Sequence, residues 1–106
     1  MVNNDSNTLL LIRELAASII PNSRVVLFGS RARKDYSADS DYDFLIITEE
    51  TFDVKKKRFF KALLRKELAK LKIPADILIQ SELEIASKKK ITGHILKQVL
   101  REGITL

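Results

Sequence analysis

Residues 29–43 read GSRARKDYSADSDYD, and the apolar run FLII follows at 44–47. A segment apolar enough to be a buried strand therefore opens on two aspartates, Asp41 and Asp43, one residue apart. Side chains alternate along a strand, so these two point to one face, at most about 7 Å apart along the backbone. Two carboxylates at about 4 Å repel by about 4 kcal/mol at an effective dielectric of about 20. Such a pair is a liability unless a cation sits between its oxygens.

Working outward, RVVLF at 24–28 is short and β-branched and ends at Gly29, as a buried strand running into a turn does. Residues 30–40 are too polar for a strand and contain SADS, so a short helical turn followed by a loop at 36–40 is expected. The second strand runs over about 41–48. A helix over about 52–72 directs Phe52, Phe59, Leu63, Leu64, Leu68 and Leu71 toward the core, and Pro74 closes it. ADILIQ, 75–80, makes a third strand. Upstream, TLLLIRELAASII at 8–20 carries Leu9, Ile12, Ala16 and Ile19 at helical spacing, with Pro21 as a stop. Downstream, Ser81 and Glu84 form a capping-box pattern, Thr92 is placed to cap a last helix ending near Gly103, and the final ITL is either a short edge strand or a docked tail.

Two strands joined by a helix of this length form a β-α-β unit, with parallel strands and a right-handed connection. Asp41, Asp43 and Asp76 then lie at the amino ends of neighbouring strands. If the first strand runs antiparallel to the second, Gly29 and Ser30 arrive at the same rim. Oxygen ligands without cysteine, and with His94 as the single histidine, suit a hard ion such as Mg²⁺ or Mn²⁺ rather than zinc. Glycine lets backbone approach a ligand, and the Ser30 hydroxyl and helix-start amides can grip phosphate. Carboxylates on one side and a phosphate cradle on the other describe phosphoryl or nucleotidyl transfer with two metal ions. Singly, each feature has a plainer reading: a solvated or turn-capping Asp-x-Asp, an ordinary Gly-Ser turn, a strand-initiating Asp76, a surface His94. Their conjunction carries the functional reading.

The chain of 106 residues, 45% hydrophobic and 31% charged, has the composition of a single globular domain spanning 1–106. The absence of cysteine excludes disulfides, thiolate metal sites and a cysteine nucleophile. The longest apolar runs, TLLLI and FLII, are far shorter than the roughly 20 residues that cross a bilayer. MVNNDSN does not resemble a signal peptide, so a cytoplasmic location and no membrane partner are expected. The net charge of +5 favours anionic partners, and its excess lies in residues 54–72, where nine basic side chains accompany one acidic one. That segment reads either as a solvated helix face or as a partner-binding surface.

The stretch GSRARKDYSADSDYDFLI resembles the signature of the minimal nucleotidyltransferase (MNT) domains of the DNA polymerase beta-like superfamily, in which Gly-Ser precedes an Asp-x-Asp pair. ADILI is similar to the family's third carboxylate strand and REGITL to its tail. The resemblance implies an α/β fold, a small mixed β-sheet packed with helices as in the polymerase beta palm, with two Mg²⁺ ions and ATP as donor. It also implies a partner: many small members are similar to antitoxins that silence a HEPN-type ribonuclease toxin by attaching AMP to a tyrosine. By position, Gly29 and Ser30 would bind the triphosphate and Asp41 and Asp43 the metals. Asp76 would complete the metal site and help deprotonate the attacking hydroxyl. Arg31 and Arg33 are read either as nucleotide-binding groups that neutralise developing charge or as structural ion-pair partners. Lys34 stands where the family often carries glycine. Two alternatives remain: a non-catalytic antitoxin acting by contact, and, less favoured, a nucleic-acid-binding domain using Val54–Lys72. The latter has only Phe59 and Phe60 as stacking platforms, and helical spacing makes both at least partly core.

Overall fold

The computed structural model describes residues 5–34, 37, 40–88 and 95–106, without the side chains of Asp5 and Ile95. Thr92 and His94, and most of the expected loop at 36–40, lie outside the described residues. The elements are α1 (Asp5–Ile19), β1 (Arg24–Phe28), α2 (Gly29–Arg33), β2 (Tyr42–Thr48), α3 (Val54–Lys70), β3 (Ala75–Ser81), α4 (Glu82–Lys88), α5 (Ile95–Glu102) and β4 (Ile104–Thr105). The strands form one mixed sheet in the order β3-β2-β1-β4. β1 runs antiparallel to β2 and β4, and β2 runs parallel to β3, as the β-α-β reading requires. The terminal residues are thus an edge strand, with Leu106 N–H also donating to the Val25 carbonyl at 2.8 Å.

Alternation along the strands divides the core into two layers. Val25, Leu27, Tyr42, Phe44, Ile46, Ile77 and Ile79 pack against α1 and α3 through Ile12, Ala16, Leu64 and Leu68. Val26, Leu45 and Ile47 face the other way, against Ile85 of α4 and Leu96 and Val99 of α5. β2 is buried on both faces, which is why it reads as a continuous apolar run once past its first residues.

Of the residues expected to point to the core from segment 52–72, Leu63 is only half-buried and two others are exposed. Phe59 is 62% exposed and Leu71 is 49% exposed. The inward stripe of α3 is the i, i+4, i+8 row Phe60, Leu64, Leu68; Phe59 stands about 100° around the helix from it. Its ring rests edge-on against Phe60, centroids 5.6 Å apart. Leu71 is the C-cap, beyond the last helical turn that could aim it inward. The helix itself starts at Val54, where the Asp53 carboxylate accepts from the Lys56 N–H at 2.7 Å.

The capping box forms as read. Ser81 N–H donates to Glu84 Oε1 at 2.8 Å, and Glu84 N–H donates to Ser81 Oγ at 3.1 Å. Lys57 adds a 2.7 Å bond to the other Glu84 oxygen and ties α3 to the start of α4. Burial pushes the Glu84 carboxyl up, but the Lys57 hydrogen bond, the Ser81 N–H and the nearby positive charge together hold it below its ordinary value.

Candidate active site

The three aspartates share one rim. Asp43 is the Cα partner of Asp76 across the parallel β2–β3 pair and of Phe28 across the antiparallel β1–β2 pair. Adjacent strands are about 4.8 Å apart. Asp43 lies on the face of Leu45 and Ile47, and Asp76 on that of Leu78, so both belong to the side covered by α4 and α5. Asp41 is exposed one residue before β2 begins.

Gly29 follows directly on β1 and abuts this rim. Its φ is +74°, in the left-handed region that glycine alone adopts without penalty. A Cβ added there would overlap the Asp43 carboxylate, with Cγ only 3.1 Å away. The backbone thus comes as close to the carboxylate as it does only because residue 29 has no side chain. Ser30 lies half-buried in the first turn of α2, whose start has no side-chain cap.

The electrostatics of Asp43 record the crowding. Burial pushes its carboxyl up, and the charges of Asp76 and Asp41 push it further, against a smaller opposing effect of Arg33. Asp43 is therefore crowded by burial and by neighbouring carboxylates more than Arg33 relieves it. Among the described residues, no three His, Cys, Asp or Glu side chains are drawn into a ready-made ligand cage. The donor set is oxygen-only, and its mutual repulsion is of the kind a divalent cation relieves, so these residues fit a hard ion such as Mg²⁺.

The two arginines of α2 diverge. Arg31 is 9% exposed and donates through Nη2 and Nε to the Ser40 carbonyl at 2.9 and 3.3 Å, with its guanidinium 4.1 Å from the Tyr42 ring centroid. It fastens α2 to the residue that precedes Asp41. Arg33 is more exposed and reaches Glu102 of α5 at 3.4 Å. The other Glu102 oxygen accepts from Gln98 at 3.4 Å. These side chains, with Phe28, Gly29 and Val99, line a cavity of about 190 Å³ beside the rim.

Sequence reasoning did not find Glu102, Gln98 or Arg65. Arg65 of α3 forms an ion pair with Asp76 at 3.5 Å. Its only signal was membership of the basic segment, and pairing it with Asp76 requires the register of α3 against β3.

A four-stranded mixed sheet with clustered carboxylates beside a Gly-Ser helix start defines the class of protein. The family model described as "Nucleotidyltransferase domain" matches residues 10–103, and the chain belongs to that family. Two proteins of Methanocaldococcus jannaschii, each bearing the name "putative protein adenylyltransferase", are 36% identical to it. The matches run over 83 and 81 residues, covering 78% and 76% of this chain and 76% and 75% of theirs. The fold is shared with a chain of a toxin–antitoxin structure solved with AMP-PNP (TM-score 0.62, 19% identity, 95% of this chain and 71% of that one). It is shared also with a chain of the Shewanella oneidensis complex of a tri-AMPylated HEPN toxin and its MNT antitoxin (TM-score 0.59, 18% identity, 97% and 71%). No helix among the described residues is long and apolar enough to cross a membrane.

Proposed function

We propose that residues 1–106 act as one nucleotidyltransferase domain that transfers AMP from ATP to a tyrosine hydroxyl of a HEPN-type toxin in the cytoplasm, serving as its antitoxin. The names of the two curated relatives and the tri-AMPylated state of the toxin in the Shewanella complex support this reading of donor, acceptor and partner. The observation that carries it is the meeting of Asp43, Asp76 and Gly29 at one rim, with Asp41 at its entrance.

In this mechanism Gly29 and Ser30 bind the triphosphate and Arg33 turns from Glu102 to its phosphates. Arg31 acts as a positioning residue through Ser40. Asp41, Asp43 and Asp76 would hold Mg²⁺, with Mn²⁺ as a substitute; when bound, the ions supply charge neutralisation to the phosphates. The acceptor oxygen forms a bond to the α-phosphorus, and the bond from that phosphorus to the oxygen bridging to the β-phosphate breaks. Pyrophosphate leaves, and the hydroxyl proton passes to the Asp76 carboxylate and on to solvent.

The test is incubation of the protein with labelled ATP, Mg²⁺ and a co-expressed HEPN partner. Label is expected on a partner tyrosine, with pyrophosphate released in equal amount. Full transfer by the Asp41→Asn, Asp43→Asn double variant would refute the mechanism. Undiminished protection by that variant without transfer would instead identify an antitoxin acting by contact.

A further inference from the structure

One large feature of the molecule lies outside the rim. α3 carries a groove of about 400 Å³ lined by Val54, Lys57, Arg58, Lys61, Ala62 and Arg65. Lys57, Lys61 and Arg65 stand at i, i+4 and i+8, so they form one row along the helix, about 12 Å long at about 1.5 Å per residue. Both ends of the row are fixed to known points. Arg65 pairs with Asp76 at the carboxylate rim, and Lys57 pairs with Glu84 at the start of α4, just past the far end of β3. The row therefore runs from the rim along the flank of β3, one of the two edge strands of the sheet. Between its ends, Arg58 and Lys61 have no ion-pair partner among the described residues.

The direction of the reaction determines what reaches this groove. In-line displacement at phosphorus places the attacking and leaving oxygens on opposite sides of the transferred group. Gly29 and Ser30, which hold the departing phosphates, lie at the β1 end of the rim, and Asp76 lies at the β3 end, with Asp43 between. The leaving group departs toward β1, so the acceptor enters from the β3 side, where Arg65 opens the basic groove.

Resting on the proposed nucleotidyl transfer, we infer that this groove docks the acceptor-bearing segment of the partner polypeptide, and that the segment is acidic. At about 3.3 Å per residue, the row spans about four residues of extended chain. The acidic side chains that recognise it therefore lie within about four positions of the acceptor hydroxyl. A polypeptide fits better than a nucleic acid because Val54 and Ala62 give the groove apolar walls between its charges, and Phe59 is the one exposed aromatic ring on this helix. A nucleic-acid track would need repeated stacking platforms beside the charges.

The experiment measures binding and transfer separately. Fluorescence anisotropy without ATP compares two probes, a tyrosine peptide flanked by glutamates and the same peptide flanked by lysines, on the wild type and on the Arg58→Glu, Lys61→Glu double variant. Both residues lie outside the carboxylate rim, and an unchanged melting temperature verifies the fold of the variant. The wild type is expected to prefer the acidic peptide, the double variant to bind it at least tenfold more weakly, and the lysine peptide to prefer the variant. In the transfer assay KM for the acidic peptide rises while KM for ATP is unchanged. Equal binding of both peptides to the wild type, or charge reversal without effect on the acidic peptide, overturns the inference. So does a single-stranded RNA oligonucleotide that binds more tightly than the acidic peptide and is lost on charge reversal, which assigns the groove to nucleic acid. Charge-dependent peptide binding with no AMP transfer to any acceptor would preserve the groove and refute the catalytic reading instead.

Discussion

Replacing Gly29 by alanine tests the claim that glycine is there to bring backbone against the Asp43 carboxylate. The substitution acts in two ways. Holding a non-glycine residue at φ +74° costs about 1–2 kcal/mol, partly offset by about 0.4–1 kcal/mol from the stiffer unfolded chain. The new Cβ also overlaps the Asp43 carboxylate, and making room in a packed site costs about 1–3 kcal/mol. Together the loss is about 2–4 kcal/mol, or a fall in melting temperature on the order of 10 °C or more. The two contributions separate in a double-mutant cycle with Asp43→Ala. That change removes the carboxylate and leaves only the Asp43 Cβ, 3.2 Å from the added methyl, a contact that a shift of a few tenths of an ångström relieves. In the Asp43→Ala background, Gly29→Ala is expected to cost only the backbone contribution, about 1 kcal/mol, giving a coupling of about 1–3 kcal/mol. Urea unfolding of the four proteins at pH 7 in the presence of a chelator measures it. Additivity within about 0.5 kcal/mol would show that the glycine serves the turn alone and refute the close approach.

Asp43→Asn is expected to stabilise the metal-free protein at pH 7 while lowering AMP transfer at least about 10²-fold, on the scale of losing one charge-stabilising group. The Asp43 carboxyl is raised, so its contribution to stability is fully present below the unfolded value of 3.8 and is lost as pH rises through the folded one. Melting curves across that range should therefore differ most between wild type and variant on the alkaline side. Glu84 has the opposite sign: its stabilisation is present above the unfolded value of 4.5 and is lost as pH falls through the lowered folded one. Glu84→Gln removes the charge from a bond whose partners are only 17% and 20% exposed and should cost about 1–2 kcal/mol in urea unfolding at pH 7, with the difference shrinking in acid. Lys34 caps α2 with φ 64°, so Lys34→Gly is expected to raise stability by about 0.5–1 kcal/mol, read as a higher melting temperature.

The parts of this fold legible in the sequence are those set by local pattern. RVVLF is β1 to the residue, and FLII anchors β2, because β-branched and apolar runs bounded by turn residues have few other uses. The pairing of Asp43 with Asp76 was legible because a helix of this length between two strands imposes parallel pairing, whereas Asp41 falls one residue before β2, so strand alternation does not reach it. The misplacement of Phe59 and Leu71 has two causes. α3 is rich enough in apolar residues that a second stripe through Phe59 also fits the helical period, and only packing against α1 and the sheet selects the one through Phe60, Leu64 and Leu68. Leu71 instead falls at the C-cap, where the helix has already ended. Arg65 against Asp76 and Glu102 against Arg33 were not legible at all. Each joins residues far apart in the chain, and no local spacing encodes the register between the elements that carry them.

The geometry of α2 explains how so short an element can hold its place at the rim. It has only five residues, too few for a helix that is stable by its own hydrogen bonds, and it is bounded by left-handed residues at both ends, Gly29 and Lys34. Its two arginines are two positions apart, about 200° around the helix, so they necessarily leave on nearly opposite sides. One reaches the Ser40 carbonyl that precedes Asp41 and the other reaches Glu102 at the end of α5. The segment is therefore braced from both flanks while its first turn lies against Asp43. This arrangement makes the Gly-Ser turn and the Asp-x-Asp pair one mechanical unit: Arg31 sets where Asp41 enters, and Gly29 sets how closely the backbone meets Asp43. The crowding of carboxylates is concentrated at the rim, at the start of the doubly buried strand β2 that carries Asp43.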